Sequence, residues 1–322
     1  MIDKIELSKT VDIETEGAQI IDQNNLEECR RGDKTFWQST EWGRFSGVFV
    51  KLDESGVLSV KASLHKIWQR EQDGHLDNSR RMRLEDVDDA LTILQRVVGV
   101  DLSDTIVHYF EIGCNLKMTR DPAQYIAELE TVEAEKGRKV LYMDANFEEQ
   151  RQKTSIKSKD MRKVLKIYDK SHEAADRGRD DVEPGVLRVE TIYKRQKIPL
   201  PKLLEMLPQY ARRFARDWID CRFKAEIEAD AGKKVSEIVK ARDIMREGLD
   251  EYLERCRNDY LLRRLTKKQW ETVRVFAKAW AVEKVHYRWA PSVYEVEYKE
   301  KLKSELRVFF LGEKMAHHMG RG

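Results

Sequence analysis

Tyr168 stands between Lys166 and Lys170 in the segment Lys163-Val164-Leu165-Lys166-Ile167-Tyr168-Asp169-Lys170. Leu165, Ile167 and Asp169 alternate with these three, so a strand here carries Lys166, Tyr168 and Lys170 on one face. Two ammonium groups beside a phenol favour its phenolate. A tyrosinate can attack a phosphodiester and hold the phosphate covalently. An amphipathic edge strand with its lysines in water would read the same way, so the neighbouring segments must decide.

Two further segments alternate. In residues 107–115, Tyr109, Glu111, Gly113 and Asn115 share one face, and His108, Phe110, Ile112 and Cys114 take the other. In residues 186–192, Arg188 and Glu190 project together, away from Leu187, Val189 and Thr191. A carboxylate at a strand centre needs a partner, because an unpaired buried charge is expensive. Glu111 and Glu190 from neighbouring strands would make a hard-oxygen site for Mg²⁺ or Mn²⁺. Such an ion polarises a phosphodiester and offsets the charge that develops on it. Arg188 offers a bidentate clamp for a phosphate. The alternatives are an ion pair of Glu190 with Arg188 or a cross-strand lysine, and an exposed sheet face for Glu111.

The formal net charge of +2 conceals a cluster. Residues 151–170 hold eight Lys/Arg, including Lys153, Lys157, Lys159, Lys163 and Lys166, against Asp160 and Asp169, so 8 − 2 = +6. A cluster of this kind attracts phosphate backbones, or else is a solvated basic loop. The four cysteines (Cys29, Cys114, Cys221, Cys256) are scattered without a CxxC pair, which suits free thiols in a reducing cytoplasm. The apolar runs are too short to span a bilayer. No charged-plus-apolar leader precedes the first strand-like segment, so no secretory signal is expected and the location is expected to be cytoplasmic.

The elements that must position these residues follow from periodicity. Residues 1–7 read as an opening strand. Residues 47–52 and 57–64 flank Asp53-Glu54-Ser55-Gly56 as a hairpin, with Ser59, Lys61 and Ser63 on one face. Residues 84–98 have helical spacing, with acids early and Arg96 late. Asp121 caps a helix that begins at Pro122. Residues 104–118, 139–143, 164–169 and 186–193 read as strands, and 171–185 as a mobile loop. From 200 to 311 the pattern is mostly helical. It includes a stripe of Leu203, Leu204, Leu207, Tyr210 and Phe214, and aromatics at 270–289 that suit a core better than a base-stacking surface. The fold expected is α+β, with a mostly antiparallel sheet and packed helices in residues 1–198 and a mainly helical region in 199–322.

In this order the segments resemble the filamentous-phage gene II replication initiators and, more loosely, plasmid rolling-circle initiators of the Rep-trans type. The matching residues are Met1-Ile2-Asp3, Gly47-Val48-Phe49-Val50-Lys51, Val60-Lys61-Ala62-Ser63-Leu64-His65-Lys66, Gly74-His75, Glu111-Ile112-Gly113, Ile167-Tyr168-Asp169-Lys170 and Leu187-Arg188-Val189-Glu190. They span about residues 1–200. The resemblance implies that Tyr168 is the nucleophile that nicks one DNA strand, with Lys170 activating it or contacting phosphate. It implies Glu111 and Glu190 as metal ligands, and Arg188 and Lys61 near the phosphate. The chain has no His-hydrophobe-His metal motif, and His317-His318 reads as solvated.

The expectation is a rolling-circle replication initiator that nicks and rejoins DNA through a phosphotyrosine, with Mg²⁺ or Mn²⁺. Its partners would be origin DNA, single-stranded or supercoiled duplex, and host helicase or polymerase. The helical region would recognise DNA or bind a partner. The alternatives are a non-catalytic DNA-binding protein of a phage or plasmid, in which the carboxylates would be replaceable, and a mobilisation relaxase with the same chemistry.

Overall fold

The computed structural model describes residues 2–39, 47–74, 81–132, 141–143, 151–155, 162–176, 178, 182–224, 226–230 and 232–309. Its strands are β1 (Ile2–Thr10), β2 (Glu27–Arg31), β3 (Lys34–Gln38), β4 (Val48–Asp53), β5 (Val57–Ser63), β6 (Ile106–Lys117), β7 (Leu129–Thr131), β8 (Leu141–Met143), β9 (Arg151–Ser155), β10 (Lys163–Asp169), β11 (Val186–Pro199), β12 (Arg222–Phe223), β13 (Glu226–Ala229) and β14 (Tyr287–Ala290). Its helices are α1 (Ala18–Gln23), α2 (Leu64–Asp73), α3 (Asp86–Val98), α4 (Pro122–Glu128), α5 (Lys170–Asp176), α6 (Leu200–Ile219), α7 (Val235–Glu247), α8 (Leu249–Leu261), α9 (Lys267–Glu283) and α10 (Val293–Phe309). The fold is α+β, as expected.

Ten strands form one antiparallel sheet in the order β2-β3-β4-β5-β1-β6-β11-β10-β9-β8. Period-two alternation splits it into two faces. On β6 and β11, Phe110, Ile112, Leu116, Leu187, Val189 and Thr191 are fully buried on the apolar face. Helix α6 covers that face with Leu203, Leu207, Tyr210 and Phe214. Phe110, Tyr193 and Tyr210 meet as an aromatic trio with centroids 4.7–5.0 Å apart. The Trp218 indole donates to Thr191 Oγ1 at 3.1 Å, and Tyr298 of α10 donates to the Trp218 carbonyl at 3.3 Å.

The β4–β5 hairpin forms as its turn signal demands. Asp53 Oδ1 accepts from the amides of Ser55 and Val57, and Gly56 sits at φ +80°, where a Cβ would lie 2.4 Å from the Val11 carbonyl oxygen. The second arm is shorter than its alternation suggests, because the chain turns into α2 at Leu64. Residues 170–176 also differ from the expected mobile loop. The Asp169 side chain accepts from the His172 amide at 3.0 Å, and this cap starts α5 directly at the end of β10.

Two compact units emerge. One is Met1–Arg222 with Tyr294–Gly322, and the other is Phe223–Val293. Contacts therefore place α6 and α10 with the sheet, whereas periodicity put the change near residue 198. The reason is that the α6 stripe is the cover for the sheet's apolar face. In the second unit, α7, α8 and α9 pack around Ile244, Tyr252, Cys256, Phe276 and Tyr287. Phe276 and Tyr287 thus join a core, as expected for that aromatic stretch. No helix among the described residues is long and apolar enough to cross a membrane.

The buried face of α6 can be tested with two leucines of equal chemistry. Leu203 is fully buried and Leu204 only partly so. Leu203→Ala is expected to cost about 2–5 kcal/mol in urea unfolding, and Leu204→Ala clearly less. Equal costs would contradict the packing of α6 on the sheet.

Candidate functional site

The opposite face of the sheet carries the polar residues. Strand register puts Lys166 opposite Glu190, Tyr168 opposite Arg188, Glu190 opposite Gly113 and Arg188 opposite Asn115. Tyr168, Arg188, Glu190 and Glu111 therefore converge on one face. All four are buried, with Arg188 at 0% and Tyr168 at 3% exposure.

Asp3 joins them, although the sequence reading did not assign it a role. Ile2 pairs with Ile112 and Ile5 with Phe110, so three residues on β1 advance against two on β6. This bulge puts an extra residue on β1 and lets Asp3 and Lys4 both reach the polar face. The signal was present in the sequence: Ile2 and Ile5, both apolar, are three apart and break the period of two. Asp3 Oδ1 accepts from Ser63 Oγ at 2.9 Å at the start of α2. The positive end of that helix suits a carboxylate.

Arg188 holds the group together. Its Nε donates to Glu190 Oε1 at 2.5 Å, its Nη1 to Asn115 Oδ1 at 2.7 Å and its Nη2 to Asp3 Oδ2 at 2.5 Å. To reach β1 from β11 the guanidinium passes over β6 at Gly113. A Cβ there would lie 2.9 Å from Glu190 Cγ, 2.9 Å from the Val189 carbonyl and 3.5 Å from Arg188 Nη2. With each of its three nitrogens already donating a hydrogen bond and no exposed surface, Arg188 does not present a free fork to a phosphate. The ion pair with Glu190, one of the alternatives, is what forms.

Single carboxylate oxygens of Asp3, Glu111 and Glu190 lie within 4.8 Å of one another. Glu190 also takes Lys166 Nζ at 3.2 Å, and Glu111 takes Lys4 Nζ at 3.3 Å. Burial would raise the Asp3 carboxyl, but Arg188 and Lys4 outweigh it and hold Asp3 down at about 2. Burial likewise opposes ionisation of Glu190, yet Lys166, Arg188 and Lys4 keep it well below the usual range. Glu111 is the exception: burial and the Glu190 charge push it up, more than Lys4 pulls it down. Glu111 Oε2 is buried and faces the Lys4 ammonium, its ion-pair partner.

These residues fit a hard divalent cation. The donors are carboxylate oxygens at a spacing one ion can bridge, and at Glu111 the single ammonium of Lys4 does not outweigh burial and the Glu190 charge. Asp3, Glu111 and Glu190 would hold it. Three carboxylates already face three cations, so binding a divalent ion requires others to leave. Lys4, with its side chain 49% exposed, and Lys166, at 17%, sit at the rim and can turn to water, whereas Arg188 cannot.

Two phenols donate into the carboxylates. Tyr168 gives its hydroxyl to Glu190 Oε1 at 3.0 Å, and Tyr109, only partly buried, gives its own to Glu111. The expected phenolate at Tyr168 is not favoured here. Burial and the Glu190 charge push the phenol well above its ordinary value. Lys166 and Lys170 stand over the ring, 4.1 and 5.9 Å from its centroid. Each is paired with a carboxylate, Lys166 with Glu190 and Lys170 with Glu173 at 2.8 Å. Burial and Arg188 also lower Lys170 to about 8, so near neutral pH a fraction of it is an uncharged amine.

The remaining lysines separate. Lys61 lies on the polar face, paired with Glu6 at 2.8 Å. Lys163 points to the other face and pairs with the buried Asp217 of α6, so it is not on the tyrosine's side. Lys153 stands opposite Lys166 in the β9–β10 register. Lys157 and Lys159 lie outside the described residues.

No family model matches this chain, and no curated protein matches it. Among solved structures it is similar to a rolling circle replication initiator protein from Geobacillus stearothermophilus, at 11% identity and a TM-score of 0.36, over 74% of this chain and 89% of the other. A likeness this distant carries no functional argument.

The electrostatics give opposite signs for two substitutions in metal-free protein. Arg188→Ala leaves Asp3 and Glu190 buried without their cation and is expected to cost about 3–5 kcal/mol. Glu111 has a raised folded pKa, so its ionisation costs stability as pH climbs past its unfolded value. Glu111→Gln should therefore raise the urea midpoint at pH 7 in EDTA, with the gain vanishing below about pH 4. Asp3 has a depressed folded pKa, so its contribution holds above its unfolded value and is lost as pH falls toward about 2. A lower midpoint for Glu111→Gln at pH 7 would contradict this account.

Proposed function

We propose that the chain is a DNA strand transferase of the rolling-circle initiator class, which nicks and rejoins DNA through a phosphotyrosine with Mg²⁺ or Mn²⁺. The observation that carries the reading is the meeting of two tyrosine hydroxyls with three buried carboxylates on one face of an antiparallel sheet. The ordered resemblance in residues 1–200 supports the choice of DNA as substrate.

Tyr168 is the proposed nucleophile. Its hydroxyl oxygen would bond to phosphorus, its proton would go to a neighbouring base, and the 3′ oxygen of the cleaved strand would leave, taking up a proton from solvent to become a free hydroxyl. A bound divalent ion supplies positive charge that lowers the phenol pKa and offsets charge on the phosphate. Glu190 is a weak proton acceptor, because Lys166 and Arg188 keep it ionised. Lys170, at about 8, is a better one once its proton has been lost. Arg188 acts by position, fixing Asp3 and Glu190. Lys61, Lys166 and the basic run at 151–170 would hold the backbone phosphates.

Tyr109 is a rival nucleophile, because it is the more exposed phenol on the same carboxylates. A second reading, a DNA-binding protein without catalysis, draws on the full pairing of the three carboxylates with Arg188, Lys4 and Lys166.

Incubation with a labelled single-stranded oligonucleotide and Mn²⁺ should give a covalent adduct that EDTA prevents. Peptide mapping should place it on Tyr168, and Tyr168→Phe should abolish it while DNA binding persists. An adduct on Tyr109 would move the nucleophile. The absence of any adduct over a range of origin sequences, with binding intact, would favour the non-catalytic reading.

A further inference from the structure

The second unit holds a groove that the strand-transfer chemistry does not use. It runs between α8 and α9 as an open cleft of about 500 Å³, and has the Trp270 indole, Leu253 and Ala277 in its apolar wall. Arg257, Arg274 and Lys278 line it as cations against a single acid, Glu254. Trp270, Arg274 and Lys278 follow at i, i+4 and i+8 on α9, so one helix stripe presents a ring and then two positive charges. Trp270 is steadied by near-parallel stacking on Tyr260, with centroids 6.0 Å apart and planes at 14°.

Some cations of this unit are paired with acids. Arg255 is paired with Glu247 and Asp243, and Arg264 with Asp259. Among the described residues, Arg257, Arg274 and Lys278 make no ion pair, hydrogen bond or ring contact. Three exposed cations beside an indole, with one acid against them, complement an anion that also carries a flat ring. The cavity volume falls in the range of small-ligand sites, about 300–1,000 Å³. A duplex keeps its ring faces stacked inside, whereas a single strand can lay one on an aromatic platform.

We infer that the α8–α9 groove binds single-stranded nucleic acid, with a base stacked on Trp270 and the flanking phosphates on Arg257, Arg274 and Lys278. This rests on the reading of the chain as a DNA-acting protein and adds to it a place where an unpaired strand is held.

The test is fluorescence anisotropy of labelled oligothymidylate with the full chain in EDTA, where no strand transfer occurs. Base stacking on an aromatic contributes about 1–3 kcal/mol, so Trp270→Ala should weaken binding by about 5–150-fold. Trp270→Phe keeps a ring and should stay close to the parent. Arg274→Gln with Lys278→Gln, both exposed and so without a folding role, should weaken binding and flatten the slope of log affinity against log salt by about 1.4. Duplex binding should be insensitive to Trp270→Ala. Unchanged oligothymidylate binding in Trp270→Ala and in the double variant overturns the inference. So does Trp270-dependent binding of polyglutamate without binding of oligothymidylate, which would make the groove an acidic-peptide site. Adduct formation with Mn²⁺ alongside Trp270-independent binding would sink the groove alone. Trp270-dependent binding without any adduct would sink the strand-transfer reading and leave the groove.

Discussion

The polar face of this sheet depends on one buried guanidinium. Arg188 is fully enclosed and joins three strands through Glu190 on β11, Asn115 on β6 and Asp3 on β1. A buried arginine is tolerable only when its donors and its charge are both met. That requirement fixes much of the surroundings. The middle strand needs a glycine beneath the guanidinium, the first strand needs a bulge to deliver Asp3, and β10 must place Lys166 where it adds a second cation at Glu190. The apolar core on the other face supplies the stability that lets the charged cluster be held in one geometry.

The same arrangement explains why tyrosine–lysine spacing alone misreads the electrostatics. Two nearby ammonium groups stabilise a phenolate when nothing else is present. Here the phenol is out of water and its hydroxyl faces a carboxylate, and both effects oppose ionisation. The ammonium groups lie over the ring and are already paired, so little of their charge is left to act on the oxygen. A phenolate at Tyr168 would therefore need added positive charge at the carboxylates or a base such as Lys170. Glu111 is the carboxylate whose one cation, Lys4, does not offset burial and the Glu190 charge, so an added cation would be felt most strongly there.

Burying three carboxylates beside two phenols is costly for a protein that needs only a stable sheet, since apolar residues of similar size would serve at least as well. Within the cluster Arg188 is fully enclosed, whereas Lys4 and Lys166 keep some exposure at its rim. In the second unit the division differs. Phe276 and Tyr287 are spent on a core, while Trp270, packed against that core, also lines a groove with three cations and one acid.

Much of the site was legible in the sequence because strand parity is a local property. The alternation around Tyr168, around Glu111 and around Arg188–Glu190 already placed these residues on one face, and Asp53–Gly56 fixed its hairpin through its own side chain and φ. Other features were not local. The role of Asp3 depends on a bulge whose only trace is the Ile2–Ile5 spacing, and on a gap at Gly113 on the neighbouring strand, far off in sequence. Lys163 shares its run with Lys166, yet its partner is Asp217, which only the packing of α6 supplies. By itself, then, the sequence determined which residues share a face, since successive side chains on a strand must alternate. The tertiary structure alone decided which charges meet and which are left over, because a buried charge takes its energy from partners brought in by distant segments.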